Sequence, residues 1–252
     1  MAIVVGIFQM SGGGKSTSLV INPDGKCVYL PKGHPDHAEV YEGMNPETTV
    51  IINSDRKKLP FPSKDWQEGV NLFTVSNIET IIGKGIEAKD PKEFGLLQRI
   101  NSGTKINAVI LDTINGIMVD KEMLESKKLT FDKWADLAKD IYELITVANG
   151  LRDNLVIYLL GHVTLYTDVD GNESKCLVTN GRKLEKIKLE TKLPVVLFGS
   201  VERGINGNNK YYFETQSNRS TAKTPLGMFD EFKIPNSLKL VDNKVREYYE
   251  IK

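Results

Sequence analysis

Residues 7–18, "IFQMSGGGKSTS", whose first two residues close the apolar run "AIVVGIF" (2–8), decide the fold. Glycine loses more conformational freedom on folding than any other residue, so Gly12-Gly13-Gly14 at the end of a strand implies a need for bare backbone. A phosphate group supplies that need. Successive N–H groups can curl around its oxygens where no side chain intervenes, and a helix opening at Gly14-Lys15-Ser16-Thr17 would add the positive end of its dipole. Strand, glycine turn and Gly-Lys-Ser together make the phosphate-binding loop (P-loop) pattern. Its nucleotide cradle is Ser11, Gly12, Gly13, Gly14, Lys15, Ser16 and Thr17. Lys15 is expected to reach the β and γ phosphates, and the Ser16 hydroxyl to ligate Mg²⁺. Five residues before Gly14, where the pattern carries another glycine, the chain has Gln9.

Outward from the loop, short β-branched runs alternate with longer segments of helical period, the pattern of a parallel sheet covered by helices. Strands are expected near 2–8, 49–53, 71–75, 107–112 and 155–160, all apolar enough to be buried on both faces. "PVVLFGSVERG" (194–204) and "KYYFETQSN" (210–218), joined by "INGNN", read as a late antiparallel hairpin. The clearest helix lies in residues 131–153. There Phe131, Trp134, Leu137, Ala138, Ile141, Leu144, Ile145 and Ala148 repeat at three-and-four spacing, the stripe with which a helix covers a sheet. Residues 78–101 predict one or two helices split by Pro91, and residues 182–192, "RKLEKIKLETK", a basic helix. Residues 22–46 are long for a connection and punctuated by Pro and Gly, which suggests a hairpin or flap inserted into one domain spanning 1–252.

A P-loop needs an acidic group at the end of a second buried strand to complete the magnesium shell. "NAVILDTINGI" offers Asp112 in that place, the Walker B position, with Ser16 and Asp112 together as the metal residues. An Asp that ends a strand is otherwise a turn or cap residue. Thr113 follows where many ATPases carry a catalytic carboxylate, so a general base must come from elsewhere. Asp55, just past the second strand in "VIINSDRKK", is the candidate for orienting the attacking water, with a solvated loop aspartate as the alternative. In P-loop ATPases of the additional-strand class, a strand between the P-loop strand and the Walker B strand carries a polar γ-phosphate sensor at its tip. His162, ending "LVIYLLGH", fits that description, and it also fits a satisfied structural histidine. Cys27, His34 and His37 match no standard zinc spacing.

Lys plus Arg equals Asp plus Glu at 33 each, so overall charge advertises neither nucleic acid nor membrane, and any such contact needs a local patch. Two distant cysteines, with no leading signal segment, suggest a reducing cytoplasm rather than a disulfide framework. No apolar run reaches bilayer-spanning length.

Five stretches together carry a family resemblance: "SGGGKSTSL", "NPETTVIIN...KKLPF", "VILDTINGI", "LRDNLVIYLLGH" and "KYYFETQSNRSTAKTPLGMF...LKLVDNKVREYY". They resemble phage-encoded P-loop ATPases with a RecA-like core, among them the Sak-type proteins linked to phage DNA recombination and single-strand annealing. The likeness covers most of the chain except residues 22–46. It implies an α/β, RecA-like P-loop NTPase core with a mainly parallel central sheet and a C-terminal β-hairpin. It further implies ATP and Mg²⁺ as cofactors, held at Lys15, Ser16 and Asp112, single-stranded DNA as a partner, and assembly into rings or filaments in the cytoplasm of an infected bacterial host. Other recombination proteins of phage or host are possible partners on the same grounds. A RecA-like core takes a basic residue from the neighbouring subunit, and Lys223 or Arg219 in "NRSTAKTP" could be that element or plain solvated charges. For DNA, Arg182, Lys183, Lys186, Lys188 and Lys192 offer phosphate contacts, while Tyr211, Tyr212 and Phe213 offer stacking, with strand alternation turning Tyr212 from the face the other two share. Glu185 and Glu190 interrupt the basic run, which also suits a solvated amphipathic surface. The competing readings are a P-loop small-molecule kinase, disfavoured because residues 22–46 lack the arginines of a kinase lid, and a nucleotide-gated interaction module with little turnover.

Overall fold

The computed structural model describes residues 1–124, 132–167, 171, 173–180, 184, 188–204 and 209–251. Among these, nine strands form one sheet: β1 (Ile3–Gln9), β2 (Thr49–Asn53), β3 (Leu72–Phe73), β4 (Ala108–Asp112), β5 (Val156–Thr167), β6 (Glu173–Leu177), β7 (Val195–Arg203), β8 (Asn209–Glu214) and β9 (Lys233–Pro235). Their order is β3-β2-β4-β5-β1-β7-β8-β9, with β6 paired to the outer half of β5. The pairings from β3 to β7 are parallel, and β7–β8, β8–β9 and β5–β6 are antiparallel. The fold is therefore the expected α/β core with a mainly parallel central sheet flanked by helices, the additional strand β5 lying between β1 and β4 and the antiparallel strands following late.

The apolar runs form the central strands because a parallel sheet is covered on both faces. Alternate residues of each strand feed two cores. On one face Val4, Phe8, Val50, Ile52, Val109 and Leu111 pack against α1 (Ile78–Ile82), α2 (Leu96–Ser102), α3 (Ile114–Leu124) and α4 (Asp132–Asn149). On the other, Val5, Ile7, Ile51, Ile110, Tyr158 and Leu160 meet Leu238, Val241 and Val245 of α5 (Leu238–Tyr248). The expected α4 stripe is buried from Leu137 to Ala148, with Trp134 partly buried, and Phe131 lies outside the described residues. Pro91 separates α1 from α2 within a short 3-10 turn that Asp90 and Glu93 cap reciprocally.

Three expectations are corrected. The helix opening at Gly14 is a five-residue 3-10 turn, Ser16–Val20. Thr17 Oγ1 donates to Gly14 O and Ser18 Oγ to Lys15 O, so side-chain hydroxyls compete for the carbonyls a helix would use. Asn22 then precedes Pro23 and accepts from Asp24 N and Lys26 N, which closes a turn instead of continuing a helix. The expected strand 71–75 is only two residues long, because Glu68 accepts from the Thr74 N–H and hydroxyl and ends the edge. β5 runs on past residue 160 to Thr167 and pairs with the unanticipated β6, Val163 facing Leu177 and Thr167 facing Glu173.

Residues 22–46 form a coil rather than a regular hairpin. Bridges of Cys27 to Ile21 and to His37, and a bond from Met44 N to Leu19 O at 2.8 Å, hold it against the 3-10 turn. Of the expected basic helix, Arg182, Lys183, Glu185 and Lys186 lie outside the described residues, and Leu189–Lys192 is a 3-10 turn preceded by Lys188 at φ 48°.

Candidate nucleotide-binding site

Parallel strands bring their carboxyl ends to one edge, and a crevice there is where open α/β sheets bind ligands. The glycine loop leaves β1, Asp112 ends β4 and His162 follows the buried part of β5, with Gln9 and His162 in register. Ser54 N and Asp55 N both donate to Asp112 O, at 2.9 and 3.4 Å, which ties the end of β2 to the end of β4 and carries Asp55 into the same group.

Gly14 sits at φ +92°, a conformation that costs side-chain-bearing residues dearly, and a Cβ there would lie 2.8 Å from Asn236 Nδ2 and 3.2 Å from Tyr211. The loop thus needs its third glycine twice over, for backbone angle and for room. Asn236 Nδ2 donates to Gly14 O at 2.9 Å, and Gln9 Nε2 donates to Asn236 Oδ1 at 2.8 Å. The residue that replaces the pattern's glycine is therefore part of a brace that runs from β1 through Asn236 back to the loop. Gln9 is fully buried, and it fits because Gly199 on β7 leaves the space its side chain fills. Ser237, which caps α5, also donates to Ile21 O at 2.8 Å, so the start of α5 holds both ends of the 3-10 turn.

Lys15 Nζ donates to Gln9 O at 3.3 Å and lies 3.2 Å from His162 Nδ1, so the imidazole accepts there and carries its proton on Nε2. Burial lowers the Lys15 pKa, against the pull of Asp112. Burial also lowers that of His162, with the Lys15 charge adding to the effect, which favours the neutral ring. Asn115 Oδ1 accepts from His162 N at 2.7 Å and its amide donates to Val178 O, fixing the bend where β5 leaves the core.

Ser16 Oγ donates to Asp112 Oδ2 at 2.6 Å. Asp112 is almost wholly buried, and its Oδ1 has no hydrogen-bond partner among the described residues. Burial raises its pKa, against the Ser16 hydrogen bond. A buried carboxylate oxygen with no donor is costly, and a hard divalent cation with its waters is the partner such an oxygen suits. The donor set of one hydroxyl and one carboxylate fits Mg²⁺ bound alongside phosphate oxygens. The peptide between Asp112 and Thr113 is cis.

Asp55 Oδ1 accepts from Thr113 Oγ1 at 2.9 Å, and Oδ2 from Lys57 Nζ at 2.6 Å. Burial pushes the Asp55 carboxyl up, but the hydrogen bonds from Lys57 and Thr113 outweigh it and hold the group below its ordinary value. The cleft has a volume of about 970 Å³. Ser11, Lys15 and Thr17 line its floor, Tyr29 and His34 of the 22–46 coil one wall, and Tyr211 and Tyr212 another.

The structure thus gathers Ser11 through Thr17, Asp55, Asp112 and His162 at one edge. Lys223 is not brought there: it pairs with Val196 low on β7, and its ammonium reaches Thr191 O at 3.4 Å. Arg219, at φ 50°, is likewise remote, where its carbonyl accepts from Lys175 N. Of the hairpin aromatics, Phe213 is core, whereas Tyr211 lies against Gly14. Lys188 and Lys192 sit over the rings of Tyr166 and Tyr142 at 5.7 and 5.4 Å. His37 Nδ1 lies 2.8 Å from Leu30 O, and His34 Nδ1 accepts from Asp36 N. Sequence reasoning missed Gln9 as a brace, Asn236, Asn115 and Lys57. Of these only Lys57 had a local signal, as a lysine two residues beyond Asp55.

No protein-family model matches the chain, and no curated protein matches it. Among solved structures, the flagellar accessory protein FlaH from Methanocaldococcus jannaschii is similar over 84% of this chain and 76% of its own, at 10% identity and a TM-score of 0.36. Among the described residues, no helix is long and apolar enough to cross a membrane. The strand order, with the glycine loop, Ser16 and Asp112 meeting at the carboxyl edge, sets the P-loop pattern in an α/β fold that has an additional strand between β1 and β4.

Proposed function

We propose that the chain is a Mg²⁺-dependent ATPase that acts in phage DNA recombination, binding single-stranded DNA in an ATP-linked assembly of copies. The observation that carries the nucleotide half is the unpartnered Oδ1 of buried Asp112 beside the Ser16 hydroxyl and the Lys15 ammonium. The recombination half is supported by the resemblance of the five stretches quoted above, as is the cytoplasm of an infected host as its location.

In this reading the amides of Gly12 to Lys15 hold the phosphates, and Lys15 turns from Gln9 O and His162 to the β and γ oxygens. Magnesium, held by Ser16 Oγ and on the Asp112 side, would neutralise charge on those oxygens. Asp55 orients the water. The water oxygen bonds to the γ phosphorus, the bond from that phosphorus to the β–γ bridging oxygen breaks, and the water's proton passes to Asp55, giving ADP and phosphate. His162, relieved of Lys15, reports the γ-phosphate to β5. A ligand shifts an assembly only by what it contacts differently in the two states, so the γ-phosphate contacts of His162, and of Lys223 from a neighbouring copy, are what couple hydrolysis to DNA.

The test is ATP hydrolysis with and without single-stranded oligonucleotide, joined to light scattering with a non-hydrolysable ATP analogue. Stimulation by DNA and growth in mass with the analogue are expected. Phosphate passing to a small acceptor would favour a kinase, and binding without turnover an interaction module.

A further inference from the structure

Lys57 lines the cleft and has no task in the scheme above. It follows β2 by four residues, lines the cleft with Lys15 and His162, and its ammonium lies 2.6 Å from Asp55 Oδ2. Its charge is felt at Lys15, at Asp112 and at His162, the groups to which the scheme above gives the phosphates and magnesium. The Lys57 side chain is half exposed on the cleft side while its Asp55 partner is largely covered, so the ammonium can leave the pair without dragging the carboxylate with it. Asn53 Nδ2 donates to Lys57 O at 2.7 Å, which fixes the backbone from which the side chain swings.

We propose, resting on the ATPase reading, that Lys57 is the cation that neutralises the γ-phosphate from within the same chain, and that its departure from Asp55 is what frees that carboxylate to take the water's proton. In the resting site the Lys57–Asp55 pair keeps the base hydrogen-bonded and weak. An arriving γ-phosphate offers Lys57 a more highly charged acceptor, and the exchange moves one ammonium a short distance across the cleft. Charge on the transferring oxygens and basicity at Asp55 then rise together, and only when a third phosphate is present. ADP has no γ oxygens, so it leaves the pair closed. Lys57 thereby makes the site of each copy distinguish ATP from ADP, whatever a neighbouring copy adds to the coupling with DNA. The stem is suited to this: an ammonium on four methylenes is a mobile point charge with three donors, able to exchange one acceptor for another.

The experiment is calorimetric affinity for ADP and for a non-hydrolysable ATP analogue, with single-turnover hydrolysis, on Lys57→Gln, Lys57→Arg and Lys15→Ala. For Lys57→Gln, ADP affinity should stay within about twofold, analogue affinity should fall about tenfold, and hydrolysis should fall about 10²-fold, the scale on which removing one charge-stabilising donor acts. Lys57→Arg should recover part of both losses. A merely structural Lys57 would move ADP and analogue alike, or neither. If Lys57→Gln keeps the wild-type ratio of the two affinities and its rate while Lys15→Ala loses binding, the role of Lys57 is overturned and the ATPase reading stands. If the wild-type protein binds neither nucleotide, both fall. Far-ultraviolet circular dichroism on each variant separates loss of fold from loss of contact.

Discussion

Ser16 Oγ donates to Asp112 Oδ2 at 2.6 Å, and the carboxylate's other oxygen is buried with no partner among the described residues. A hydroxyl held on a half-satisfied buried carboxylate is a donor set suited to a hard cation. The arrangement is stable only because the surrounding sheet holds both groups in place, one at the end of β4 and the other one turn past β1.

The first prediction concerns that carboxylate. Asp112→Asn removes a buried charge whose protonated form the fold prefers, since its pKa is raised by burial. For an acid shifted this way, stability is fully present below the unfolded pKa and is lost as pH rises through the folded one. Near neutral pH the variant without nucleotide should therefore melt about 2–4 °C higher, the shift that about 1 kcal/mol gives in a chain of this size. Its ATP affinity should lose its dependence on magnesium. Calorimetry with and without a chelator reads the second effect, and a variant that melts lower yet still responds to magnesium contradicts the assignment.

His162 provides a prediction in pH. Its ring is held below the ordinary 6.5, by burial first and by Lys15 second, against the pull of Asp55. A histidine depressed in the folded state contributes stability that is present above its unfolded pKa and is lost as pH falls through the folded value. The wild type should lose melting temperature on acidification from about pH 6.5 downward, and His162→Asn, which keeps an acceptor for Lys15 without titrating, should lose less over the same window. Parallel slopes for the two proteins would mean that the imidazole does not take part.

Tyr211 lies against Gly14 and lines the cleft, although a place on the hairpin had suggested a platform for DNA bases. Tyr211→Ala should weaken nucleotide binding by about tenfold, on the scale of about 1–3 kcal/mol for a lost stacking surface, with a smaller change in oligonucleotide binding at saturating nucleotide. Fluorescence anisotropy of labelled nucleotide and labelled oligonucleotide compares the two directly.

Local features were legible and distant ones were not. The central strands could be read because a sheet covered on both faces leaves continuous apolar runs, and the loop because its glycines, lysine and hydroxyl are neighbours in the chain. Asp112 and His162 could be placed because strand ends in a parallel sheet share an edge. β6 escaped notice because Glu173–Leu177 is polar along one face and pairs with a part of β5 that leaves the core. The helix after the loop was expected from the motif, yet Thr17, Ser18 and the Asn22-Pro23 turn decided against it. Asn236 lies 222 residues from the loop it braces, and no local pattern marks it.

That brace yields the last prediction. Gln9 stands where the loop pattern has glycine, and its side chain occupies the space that Gly199 leaves open on β7, so the two positions have in effect exchanged bulk. Gly199→Ala drives a methyl into the Gln9 side chain and should cost about 1–3 kcal/mol by overpacking. Gln9→Ala leaves Asn236 Oδ1 without its donor and should cost about 1–3 kcal/mol, with weaker nucleotide binding because Asn236 no longer holds Gly14 O firmly. In the double variant the methyl at 199 no longer meets a glutamine side chain, so the overpacking cost disappears and the double variant should be more stable than the sum of the single losses by about 1 kcal/mol or more. Urea unfolding of the four proteins closes the cycle. A coupling below about 0.5 kcal/mol would mean that Gln9 and Gly199 are independent, and that the brace does not account for the departure from the loop pattern.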